Sequence, residues 1–151
     1  MNKNLENIKA NELMIGDWVE IKGLKDPYKR LSSVDEYRGK VDYWYGEKLI
    51  VSSIDNVLPI PLTEEILEKN GFEELMSEGW ESAAKFGRIP EPTGVWQYGF
   101  GQFDSVSYLP KRSFLSVKFM EGYTADIANI KYVHQLQHAL RLCGVEKEII
   151  L

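Results

Sequence analysis

Residues 129–144, Asn129-Ile-Lys-Tyr-Val-His-Gln-Leu-Gln-His-Ala-Leu-Arg-Leu-Cys-Gly144, constrain the fold more than any other stretch. At about 100° per residue, Tyr132, Val133, Leu136, Ala139, Leu140 and Cys143 fall within an arc of roughly 120°, the width of a core-facing stripe. Asn129 is placed to cap the helix, and Gly144 to end it with Val145 folded back on Leu140. His134 and His138 lie opposite the stripe, flanked by Lys131 and Arg141. The spacing therefore predicts a polar outer face made of Lys131, His134, Gln135, His138 and Arg141, better suited to surface recognition than to chemistry.

The apolar stripe needs a surface to cover, and the preceding chain reads as short strands. Gly16-Asp17 turns into a strand at Trp18, and a Gly-Asp-aromatic-Val opening of this kind begins many small SH3-like barrels. Strand-like runs follow around 28–34, 38–45 and 48–57, with Gly46-Glu47 as a hairpin turn. Pro59 and Pro61 stop this series. Thr63 then caps a two-turn helix with Glu64 and Glu65 in its first turn, where the helix dipole favours anions, and Gly71 ends it. A second short helix is expected over 77–86. Residues 76–94 read as a surface insertion or loop. Strands resume at Val95, with Trp96, Tyr98 and Phe100 on one face, and continue over 103–109 and 114–119.

These elements predict an α+β fold in a single domain, 1–151, with residues 1–9 frayed. The sheet is antiparallel, its N-terminal half a candidate for a partly closed SH3-like barrel, with short helices and a packed C-terminal helix. At 151 residues the chain can bury about two-thirds of its unfolded surface. It lacks an apolar run near the ~18 residues of a membrane span and an apolar leader, so the expected location is the cytoplasm with no membrane partner.

A catalytic constellation is not legible. His134 and His138 have the i, i+4 spacing that can hold a metal on a helix. The residues between them are Gln135, Leu136 and Gln137, so the glutamate base of the metalloprotease motif is missing. A metal-dependent enzyme built on these histidines is the least supported reading, and no metal or cofactor is assigned. Cys143 lies on the apolar stripe at a helix C-terminus, where the dipole disfavours a thiolate.

Charge is unevenly spread. Residues 22–40 carry six bases against three acids, whereas 64–81 carry seven acids against Lys69. The basic stretch is interleaved with aromatics, which supports single-stranded nucleic-acid binding through Lys29, Arg30, Arg38, Tyr43 and Trp44. A net charge of −5 opposes it.

Three segments together resemble a family of small uncharacterised bacterial proteins, often encoded in phage-like or other mobile regions. They are Ala10-Asn-Glu-Leu-Met-Ile-Gly-Asp-Trp-Val19, Ile60-Pro-Leu-Thr-Glu-Glu-Ile-Leu-Glu-Lys-Asn-Gly-Phe72 and Ile130-Lys-Tyr-Val-His-Gln-Leu-Gln137. The resemblance covers both ends and a central anchor but not 74–110. It implies no catalytic residue, only an accessory role. Together these readings favour a non-enzymatic binding or adaptor module of a mobile-element system with a protein partner.

Overall fold

The computed structural model describes residues 7–102 and 104–151. The first six positions of the stretch expected to fray, and Phe103 of the aromatic run, lie outside the described residues. The fold is α+β, with two open antiparallel sheets of five strands each. Its residues group into two compact units. The first comprises the chain up to Leu62 with Tyr132–His138 and Leu151, and the second Thr63–Lys131 with Ala139–Ile150.

The first unit holds β1 (Trp18–Ile21), β2 (Tyr28–Asp35), β3 (Lys40–Tyr45), β4 (Lys48–Ser53) and β5 (Val57–Leu58), in the order β4-β3-β2-β1-β5. Strand parity sets its core. Val19 and Ile21 of β1, Leu31 of β2 and Val41 and Tyr43 of β3 point inward, and cluster with Ile8, Leu13 and Val57. Burial of Ile8 ties down the chain just before the 3-10 turn at Ala10–Glu12. Gly46 has φ 61 and the residue after it does not share that sign, which matches a II′ hairpin joining Tyr45 to Lys48. Gly16, at φ 89, makes the tight turn into β1. Its N–H donates to Leu31 O at 2.8 Å, while Leu31 N–H donates to Asp17 O at 2.9 Å.

The second unit holds β6 (Glu73–Met76), β7 (Pro92–Gly99), β8 (Ser105–Leu109), β9 (Phe114–Lys118) and β10 (Thr124–Ile127), in the order β10-β9-β8-β7-β6. Helix α1 (Glu64–Lys69) begins as expected, with Thr63 Oγ1 accepting from Ile66 N. It ends in a Schellman turn, where Phe72 N–H reaches Leu67 O and Gly71 N–H reaches Glu68 O. Helix α2 (Trp80–Lys85) lies inside residues 76–94, and β6 and the start of β7 pair at that segment's two ends. Trp96 is buried, Tyr98 packs against Phe72 with ring centroids 5.5 Å apart, and Phe100 meets Phe119 edge-on. The C-terminal tail forms no strand. Ile149 is buried, and Asn70 bonds both main-chain groups of Ile150 at 2.8 Å.

Helix α3 (Val133–Leu142) buries Val133, Leu136, Ala139 and Leu140, as its stripe predicts. Its C-terminal stop also follows the sequence: Val145 N–H donates to Leu140 O and Gly144 N–H to Arg141 O. The start differs. Asn129 has φ 62 and is a left-handed turn residue, and the helix begins at Val133, whose N–H donates to Ile60 O. Gln135 Oε1 accepts from Tyr132 N at 3.2 Å, so a glutamine inside the first turn does the capping.

Candidate functional site

Two groups of side chains in the first unit concentrate the polar and aromatic chemistry. One lies where α3 meets the turn into β1. Asp17 is fully buried, and its Oδ2 accepts from Met14 N at 2.7 Å and lies 2.7 Å from His138 Nε2. An ionised carboxylate only accepts, so Nε2 carries the proton. On the residue before His138, the Gln137 amide spans the same main chain, with Oε1 accepting from Trp18 N at 2.9 Å and Nε2 donating to Gly16 O at 3.1 Å. In effect Gln137 supplies the donor and acceptor of one strand residue.

His134 is 4% exposed, not on an outer face as the helical wheel predicts. Its ring stacks on Tyr132 at 5.9 Å and meets His138 edge-on at 5.8 Å. Among the described residues its buried Nδ1 has no hydrogen-bond partner. Burial lowers its pKa below the usual histidine value. Asp17 and Glu12 act in the opposite direction, and His138 adds to the lowering. The ring therefore favours the neutral state. It borders a small recess of about 70 Å3, shared with Asn7, Ile8, Glu12, Pro59, Tyr132 and Gln135.

The expected polar face of α3 thus divides. Lys131 and Arg141 are exposed, Gln135 and His138 are half-buried, and His134 is inside. The wheel fails because it assumes one buried side, whereas the turn at 14–18 offers hydrogen-bonding groups to the polar side as well. Gln137, the residue that clamps this turn, was passed over by sequence reasoning as a spacer between histidines. No local signal marks its partner, which lies 121 residues away at Gly16. Among the described residues no group of three or more His, Cys, Asp or Glu is placed to hold a metal. The arrangement positions main chain.

The second group is the outward face of the first sheet. Antiparallel register sets Trp18 against Arg30 and Trp44 against Leu49, and the Leu31–Tyr43 pair puts Arg30 beside Trp44. Trp18, Arg30, Trp44 and Leu49 therefore form one band across four strands, with Val51 two residues along β4. The Arg30 guanidinium lies 5.8 Å from the Trp18 ring centroid. Trp44, Leu49 and Val51 are 55%, 46% and 57% exposed.

Of the residues named for nucleic-acid binding, this face unites Arg30 and Trp44 only. Tyr43 is buried on the opposite face, as the period of two requires, and cannot stack on a base. Lys29 shares Tyr43's parity, pairs with Asp26 at 2.9 Å and lies over the Tyr45 ring. Arg38 sits in the β2–β3 turn beside Asp35, at 3.7 Å. By parity the outward positions of β1–β4 carry the bases Arg30 and Lys40 against the acids Glu20, Asp35 and Asp42. Comparison of the chain with protein-family models, with curated proteins and with solved structures finds no match.

Proposed function

We propose that the chain is a non-enzymatic binding module that engages a protein partner through the outward face of its first sheet. The observation that carries this reading is the band Trp18–Arg30–Trp44–Leu49, continued by Val51. Tryptophan and arginine are the side chains enriched in interface hot spots, and the exposed Leu49 and Val51 add apolar area beside them. The meander opened by Gly16-Asp17-Trp18-Val19 supports an SH3-like description of this unit. The resemblance of three segments to proteins of phage-like and other mobile regions favours an accessory role in such a system. Binding of single-stranded nucleic acid is the second reading. It rests on Trp44 stacking with Arg30 nearby, but three acids against two bases on that face weigh against phosphate binding.

Affinity capture from a bacterial lysate tests both readings, using the wild-type chain and a Trp44→Ala, Arg30→Glu variant, each with and without nuclease. A nuclease-resistant partner held by the wild type and lost by the variant is the expected outcome. Capture that nuclease abolishes transfers the function to the second reading. Equal capture by both chains removes this face from the function.

A further inference from the structure

Among the described residues, β4 is the one edge strand that is both long and weakly defended. β5 has two residues, β6 carries Glu73 and Glu74, and the four-residue β10 carries Asp126. Short length and charge are the usual protections of a sheet edge. β4 has six residues, and its only charge is Lys48 at one end.

The hairpin fixes which of its main-chain groups are free. In a two-residue hairpin the closing pair, here Tyr45 and Lys48, is hydrogen-bonded, and bonded pairs then alternate through Tyr43–Ile50 and Val41–Ser52. Leu49 and Val51 consequently turn their N–H and C=O groups to the open edge. Leu49 and Val51 are also the exposed aliphatics of the strand.

We propose that β4 pairs antiparallel with β4 of a second copy of this chain, Leu49 opposite Val51, about a two-fold axis at Ile50. A two-fold contact requires a self-complementary strand, and this register supplies one. Each Leu49 gains an apolar neighbour in the second copy's Val51, Lys48 faces Ser52, and Glu47 faces Ser53. No like charges oppose each other. Moving the axis to Val51 sets Glu47 against Asp55, two acids. Moving it to Leu49 sets Val51 against Glu47. The two five-stranded sheets become one of ten strands, and the Trp18–Arg30–Trp44–Leu49 bands become neighbours on one continuous face. The pairing stands whether or not that face binds another protein.

Light scattering on a sizing column, from low micromolar to about 200 µM chain, tests the proposal over the range in which a modest interface populates a dimer. The wild type is expected to approach twice the monomer mass. Val51→Lys, with an unchanged far-UV circular dichroism spectrum, is expected to remain monomeric. The register is read by mixing Leu49→Cys and Val51→Cys chains in a Cys143→Ser background. Hydrogen-bonded antiparallel partners have Cα atoms about 5.5 Å apart, within disulfide reach, so the mixture is expected to oxidise to a cross-linked heterodimer. A wild type that stays monomeric throughout, or a dimer that Val51→Lys leaves intact, overturns the proposal. A dimer without the mixed cross-link overturns the register.

Discussion

Asp17→Ala is the most direct perturbation of the junction between α3 and β1. The carboxylate is fully buried and serves two donors, Met14 N–H and His138 Nε2–H, each at 2.7 Å. Hydrogen bonds to a charged group contribute about 1.5–3 kcal/mol each, and alanine removes this acceptor from the part-buried Met14 N–H. Loss of the two bonds together gives an expected cost of about 4 kcal/mol. With a urea m-value of about 2 kcal/mol/M, the unfolding midpoint should fall by about 2 M. Asp17→Asn keeps a side-chain acceptor for Met14 N–H but loses the charge, so it should cost less, about 1–2 kcal/mol. A double-mutant cycle with His138→Ala isolates the pair, with an expected coupling of about 1–3 kcal/mol. Urea titration followed by far-UV circular dichroism measures all five chains. An Asp17→Ala chain within 1 kcal/mol of wild type would falsify the assignment of this carboxylate as a structural clasp.

Three further outcomes follow from the same reasoning. His134 has a folded-state pKa lowered mainly by burial, so the unfolded chain binds its proton first as pH falls from about 6.5. Its contribution to stability is complete above that value and is lost as pH falls through the lowered folded pKa. The drop in urea midpoint between pH 7.5 and 5.5 should therefore shrink in His134→Phe, and an unchanged drop refutes this. Asn70→Ala removes three hydrogen bonds of 2.8 Å, to Ile66 O and to both main-chain groups of Ile150. The expected cost is about 2–4 kcal/mol, with faster amide exchange at Ile150, and exchange at the wild-type rate counts against the tail's docking by Asn70. Burial raises the Cys143 thiol pKa, so disulfide-reagent labelling at pH 8 should be slower in the folded chain than in urea. Equal rates would place the thiol in water.

Hydrogen bonds within the first unit join the segment 10–19 and Ile60 to the start of α3. Gln137 clamps Gly16 and Trp18, and Ile60 O accepts from Val133 N. Those bonds hold the segments in place within the fold. The exposed band on the first sheet uses Trp18 from them, whereas Arg30, Trp44 and Leu49 lie outside.

What the sequence settled alone is local. The Thr63 cap, the stops at Gly71 and Gly144, the Gly46-Glu47 hairpin and the inward parity of Val19, Ile21, Val41 and Tyr43 all depend on residues within a few positions of one another. Parity alone could have removed Tyr43 from the nucleic-acid set, since Val41, Tyr43 and Tyr45 already shared one face. Tertiary structure decided the rest. The pairing of β6 with β7, the extra strand at Thr124–Ile127 and the docking of Ile149 each needed a partner that no local pattern names. The histidines make the point most clearly. A helical wheel weighs each side chain against water, and on that scale His134, Gln137 and His138 belong outside. Asp17 and the main chain of Gly16 and Trp18 replace that water for Gln137 and His138, and the resulting closure carries the His134 ring inside with them.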